Sequence, residues 1–138
     1  MESRRNYYRH CFEQGQGPAA RLEAIGSKVR GLGEVTDMSL EGVRIRVTAG
    51  DFQLGRHDQF RIELTLPRQR QALSIRARLI HVETKADKTF AGFQCLPSMD
   101  PAADKALQAQ IWQFLLEEQR SMLRARRGSR AVPKHSNR

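Results

Sequence analysis

Asp37-Met38-Ser39-Leu40-Glu41-Gly42-Val43-Arg44-Ile45-Arg46-Val47 is the stretch on which the fold turns. From Val43 onward apolar and charged residues alternate, the period of two that gives a strand one buried and one wetted face. The residues before it form a DxSxxG pattern. Asp and Ser side chains bond nearby backbone groups and Gly suits a tight reversal, so this segment is a turn feeding the strand. Outward from it the same period recurs over Phe60-Arg61-Ile62-Glu63-Leu64-Thr65-Leu66 and at Leu73, Ile75, Ala77 and Leu79. The phase then slips to Ile80 and Val82, as a β-bulge would make it. Further strands are expected around 18–26, 29–36 and 89–95, with a charged tip at Lys85-Ala86-Asp87-Lys88. Six short strands at near-regular spacing predict a mainly β chain, a small antiparallel barrel or sandwich.

The two ends read differently. Asp100-Pro101 is a helix start, Asp as N-cap and Pro at the first helical position, where its missing N–H costs nothing. Leu107, Ile111, Phe114, Leu115 and Met122 follow at helical spacing and predict a C-terminal helix packed on the sheet by one stripe. Residues 1–17 are polar and Arg-rich and end in Gly15-Gln16-Gly17-Pro18, which reads as a flexible lead-in. Residues 18–123 form the folded body, and 124–138, with Gly128, Ser129 and Pro133, are expected to be a disordered basic tail. The 138 residues suffice for one core, not two domains.

The net charge of +9 is unevenly spread: residues 120–138 hold seven bases and no acid, while 11–119 balance 14 against 14. A body that bound a nucleic-acid backbone would carry the basic stripe itself; here the ends carry it. No apolar run approaches the ~20 residues of a membrane span, and no apolar signal core follows Met1, so a soluble cytoplasmic protein is expected. Cys11 and Cys95 carry no metal or disulfide spacing, and no metal site is expected.

The sequence offers no constellation for catalysis. It has no GxSxG, GxxxxGK[ST] or GxGxxG, and His10, His57, His81 and His135 share no spacing with each other or with a cysteine. Cys11 beside His10 points the other way in an extended chain, and His81 reads as a structural histidine. A non-enzymatic protein is expected. Two motifs remain, Arg5-Asn6-Tyr7-Tyr8-Arg9 and the DxSxxG at 37–42. With 19 arginines an RxxxR means little alone, and the spacing recurs at Arg120/Arg124 and Arg126/Arg130.

Together, an RxxxR ahead of the first strand, a DxSxxG 28 positions after Arg9 and running straight into a strand, alternating strands and a closing helix resemble the PilZ-domain family over about residues 4–119. Phe90-Ala91-Gly92-Phe93 is similar to that family's Gly-aromatic final strand. The resemblance implies a six-stranded antiparallel β-barrel with a C-terminal helix that binds the bacterial second messenger cyclic di-GMP and needs no cofactor. It makes Arg5 and Arg9 the ligand arginines and Asp37, Ser39 and Gly42 the barrel-surface motif. Arg4, just before the first motif arginine, goes in that family with an intercalated pair of nucleotides and implies two per chain. The family's outputs include motility, exopolysaccharide production and virulence.

The chemistry agrees with that assignment. Guanine O6 and N7 suit the planar fork of Arg, and phosphodiesters take its charge, which Lys would not match. The N1 and N2 donors of guanine then need an acceptor such as the Asp37 carboxylate, beside which Ser39 supplies a hydroxyl. Binding would clamp the lead-in over the barrel, and that ordering would be the signal to a protein partner. Arg44 and Arg46, like Arg76 and Arg78, share a polar strand face; all four read most simply as solvated charges, and would add phosphate contacts if their strands adjoin, but Arg44 and Arg46 follow Gly42 directly and rank first, and Arg44 is counted among the expected ligand residues. The alternative from another class is a barrel binding RNA or single-stranded DNA, which would need exposed aromatics on adjacent strands. Phe60 falls in the apolar phase and Phe90 and Phe93 lie on opposite faces, so no specific nucleic acid is expected. No sustained heptad supports a coiled coil, and the sequence leaves monomer and weak dimer open.

Overall fold

The computed structural model describes residues 9–50, 58–66 and 72–136, the last eleven of them by backbone alone. Among the described residues seven strands and one helix follow in chain order: β1 His10–Cys11, β2 Ala19–Ala24, β3 Arg30–Met38, β4 Gly42–Gly50, β5 Gln59–Thr65, β6 Ala72–Lys85, β7 Lys88–Cys95 and α1 Pro101–Ser136. The sheet runs β1-β3-β2-β5-β6-β7-β4, and β3 also pairs with β4. That pairing closes β2 to β7 into a six-stranded antiparallel barrel. β1 lies outside it, with His10 opposite Met38 and Cys11 opposite Asp37.

The alternation is what the barrel needs. In β5, Phe60, Ile62 and Leu64 point inward and are fully buried, while Arg61 and Glu63 face out. Leu22, Ile45, Ile75 and Phe93 join them in one core, where the Phe60 and Phe93 rings meet edge to face at 5.4 Å. The phase slip in β6 is a bulge: the register against β7 shifts between Leu79 and His81, which leaves Ile80 as the extra residue. At the β6–β7 tip, Ala86 and Asp87 both take positive φ, 49° and 65°, the mirror-image turn that suits the right-handed twist of a hairpin.

α1 begins as its sequence predicts. The Asp100 carboxylate accepts from the Ala102 N–H at 3.0 Å, and Asp104 accepts from the Ser98 backbone N–H. Ile111, Phe114 and Leu115 seal one side of the core. The helical backbone continues through 124–136, the segment for which the sequence suggests a tail. Arg, Leu, Met and Ala are strong helix formers, and the run Arg120 to Arg127 consists almost wholly of them. The lead-in differs from expectation, since residues 10–12 are paired. The Phe12 N–H donates to the Thr36 carbonyl at 2.9 Å, and the Phe12 ring stacks on Phe114 of α1 at 6.1 Å. An apolar side chain with a place in the core anchors a segment whose composition otherwise reads as loop.

Candidate ligand-binding site

The DxSxxG segment is the β3–β4 hairpin, and each of its side chains is fixed by that turn. The Ser39 N–H donates to the Gly42 carbonyl at 2.9 Å, and the buried Ser39 hydroxyl accepts from the Glu41 N–H at 3.3 Å. Ser39 is only 3% exposed, so its oxygen is spent on the turn. Gly42 is required by close approach: an added Cβ would lie 2.6 Å from the Phe93 carbonyl oxygen of β7. The backbone it admits is the barrel's own. Asp37 stands beside a bulge in β3, across from Cys11 of β1 and Arg44 of β4.

Arg9 reaches Asp37 and hydrogen-bonds its carboxylate, Nη1 to Oδ1. Arg9 is mostly exposed while Asp37 is largely covered, so the fixed partner is the acid and the movable one the arginine. Arg4 and Arg5 lie outside the described residues. Arg44 crosses the outer face of β7, its guanidinium 4.5 Å above the Phe90 ring and 2.6 Å from Glu83 of β6. A hydrogen bond from Lys85 above all, with the charges of Lys85 and Arg44, holds the Glu83 carboxyl below the usual carboxylate range. Arg46 is bound to Glu34 at 2.9 Å. β7 separates β4 from β6, so the Arg44/Arg46 and Arg76/Arg78 pairs do not adjoin. Arg76 instead bonds Gln59, and Arg78 stands 3.8 Å from Asp58.

Of these residues Arg9, Gly42 and Arg44 line one open groove of about 360 Å³, which runs from Arg9 and Glu41 past Gly42 and Arg44 to Ile80 and His81. Its size is within the ~300–1,000 Å³ of small-molecule sites. His81 corrects the sequence reading: it is an exposed side chain on the groove wall. The signal for it was present in the phase slip at Ile80, which moves the next residue to the outer face. A second crevice of about 220 Å³ lies between α1 and the β3–β4 turn, but the charged groups lining it are Glu41 and Asp104, which repel an anion. His10 and Cys11, adjacent in sequence, face apart, His10 buried and Cys11 exposed. Among the described residues, no group of three or more His, Cys, Asp and Glu could hold a metal ion, and no helix is long and apolar enough to cross a membrane.

Comparison with solved structures places the barrel among known ones. YcgR from Escherichia coli in complex with c-di-GMP superimposes with a TM-score of 0.62 at 20% identity, over 88% of this chain and 50% of that one. The PilZ domain of the same protein, also with c-di-GMP, gives 0.60 at 18% identity, over 86% and 97%. The Bacillus subtilis inhibitor of motility, MotI/DgrA, gives 0.53 at 18%, over 83% and 52%. At such identities the likeness is one of fold, and this chain spans about half the length of YcgR. No curated protein matches the sequence. The family model described as PilZ domain matches residues 3–113, four-fifths of the chain, and the protein belongs to the PilZ family.

Proposed function

We propose that the protein is a non-enzymatic receptor for cyclic di-GMP, which it binds in the groove between the lead-in and the outer face of β4, β7 and β6. The observation that carries this reading is that Arg9, Gly42 and Arg44, from the lead-in and β4, line one groove in a PilZ barrel, with Asp37 of β3 hydrogen-bonded to that Arg9. The chemistry of binding is an exchange of partners. The Asp37 carboxylate holds Arg9. A guanine that presents N1 and N2 donors replaces Arg9 at Asp37, and the freed guanidinium turns to a phosphodiester or to the guanine O6/N7 edge. Arg5 takes the corresponding place on the second base, and Arg4 supports an intercalated pair, two nucleotides per chain. Arg44, held by Glu83 over Phe90 on the same groove, makes the matching exchange on the barrel side, its guanidinium turning from that carboxylate to a phosphodiester. The relay to a protein partner is the closure of the lead-in upstream of the anchored β1.

Calorimetric titration of cyclic di-GMP into the wild type and the Arg5→Ala, Arg9→Ala and Asp37→Ala variants tests the reading, with GTP and a short single-stranded RNA as controls. Expected are binding of the dinucleotide alone, loss of at least about tenfold in affinity in each variant, and saturation at two nucleotides. Saturation at one would refute the role of Arg4. No heat with cyclic di-GMP but salt-sensitive binding of RNA would refute the receptor and favour a nucleic-acid-binding barrel.

A further inference from the structure

The strand register draws a small lattice on the outer face of the barrel. Across β4, β7 and β6 its rows are Gly42, Gln94, Arg78; then Arg44, Gly92, His81; then Arg46, Phe90, Glu83. The bulge at Ile80 is what brings His81 opposite Gly92. At the centre is a residue with no side chain, and Arg44, His81, Gln94 and Phe90 surround it.

Glycine inside a strand weakens it, and it marks a bulge or a close approach of backbone or ligand. Packing does not explain Gly92. A Cβ there would lie 3.7 Å from the His81 Cβ and 3.9 Å from the Ile80 Cγ1, ordinary contact, and its φ is not among the positive ones. This is the reverse of Gly42, where a Cβ would strike the Phe93 carbonyl oxygen. The bare position is therefore open floor in the groove, with about 10 Å between the two flanking strands. Ile80, 60% exposed, adds an apolar wall and His81 a planar polar one. A flat apolar floor with polar groups at its edge is the complement of a purine, whose faces are apolar and whose rim carries donors and acceptors.

We propose that Gly92, His81 and Ile80 form the seat of one guanine of the ligand, with the Gly92 backbone as floor and the His81 ring as wall. The inference rests on the receptor reading above and adds to it the specificity-determining residues of β6 and β7. Gln94 stands at the edge of the seat to read the rim of the base.

Calorimetry with cyclic di-GMP on the wild type and the Gly92→Val, Gly92→Ala and His81→Ala variants tests it, with a thermal melt of each. Val suits a strand, and the exposed His81 leaves the core untouched, so all three are expected to melt within a few degrees of the wild type. Gly92→Val is expected to weaken binding by about tenfold or more, and Gly92→Ala and His81→Ala by about three- to tenfold. If the wild type binds and both Gly92→Val and His81→Ala bind within about twofold of it, the seat is refuted while the receptor stands. If the wild type does not bind, both readings fall.

Discussion

Replacing Gly42 by Ala separates a glycine kept for the barrel from one kept for a ligand. The new Cβ would lie 2.6 Å from the Phe93 carbonyl oxygen, and real Cβ contacts under 3.4 Å are already tight. β4 must therefore draw away from β7 by about 0.8 Å, and overpacking of this kind costs roughly 1–3 kcal/mol. The displacement falls on a point held by short bonds: Ser39 N–H to the Gly42 carbonyl at 2.9 Å, and Cys95 N–H to the Glu41 carbonyl at 2.8 Å. Against this, Ala loses less chain entropy on folding than Gly, a gain of about 0.4–1 kcal/mol. The net expectation is a loss of about 1–2 kcal/mol, or a fall of about 3–7 °C in Tm for a chain of this length. Urea titration with an unchanged m-value gives the free energy directly. Gly92→Ala is the internal control, since its Cβ meets nothing nearer than 3.7 Å and the variant should match or slightly exceed the wild type. A Gly42→Ala protein as stable as wild type or Gly92→Ala would refute the packing argument. If such a stable variant also lost the nucleotide, Gly42 would be a glycine kept for the ligand after all.

Three further outcomes are expected. Phe114 is 2% exposed and stacks on Phe12, so Phe114→Ala should cost about 3–5 kcal/mol in urea denaturation, as large aromatic truncations do; a loss below about 1 kcal/mol would mean that α1 is not part of the core. Burial lowers the His10 pKa below 6.5, against the opposing charge of Glu118. The unfolded chain therefore binds the proton more readily, and the contribution of His10, complete above about pH 6.5, declines as the pH falls below it. His10→Gln should flatten that part of the stability–pH curve, and an unaltered curve would exclude His10 as its source. The Cys95 thiol is pushed up to about 11 by burial, whereas Cys11 is exposed. At pH 8 a thiol reagent should therefore modify Cys11 rapidly and Cys95, half-buried and almost wholly in its thiol form, far more slowly until the protein unfolds. Rapid modification of both in the native protein would contradict the placement of Cys95.

What the sequence determined by itself is whatever a chain fixes locally. The alternation in residues 43–47 and 60–66, the slip at Ile80, the turn made by Ser39 and Gly42, and the Asp100-Pro101 helix start each follow from the residue types within one element. Each stands in the structure where the pattern puts it. The motif residues Arg9 and Asp37, 28 positions apart, were legible only as members of a pattern, and it took the pairing of β1 with β3 to bring them together. Tertiary structure alone decided which strands adjoin. The insertion of β7 between β4 and β6 puts Arg44 on Glu83, 39 residues away, and keeps it from Arg76 and Arg78. The same insertion sets Gly92 between Arg44 and His81 and opens the groove. A period of two says which face a residue takes but not which strand it will face. The neighbour is chosen by closure of the barrel around one core, a property of the whole chain that no window of the sequence contains.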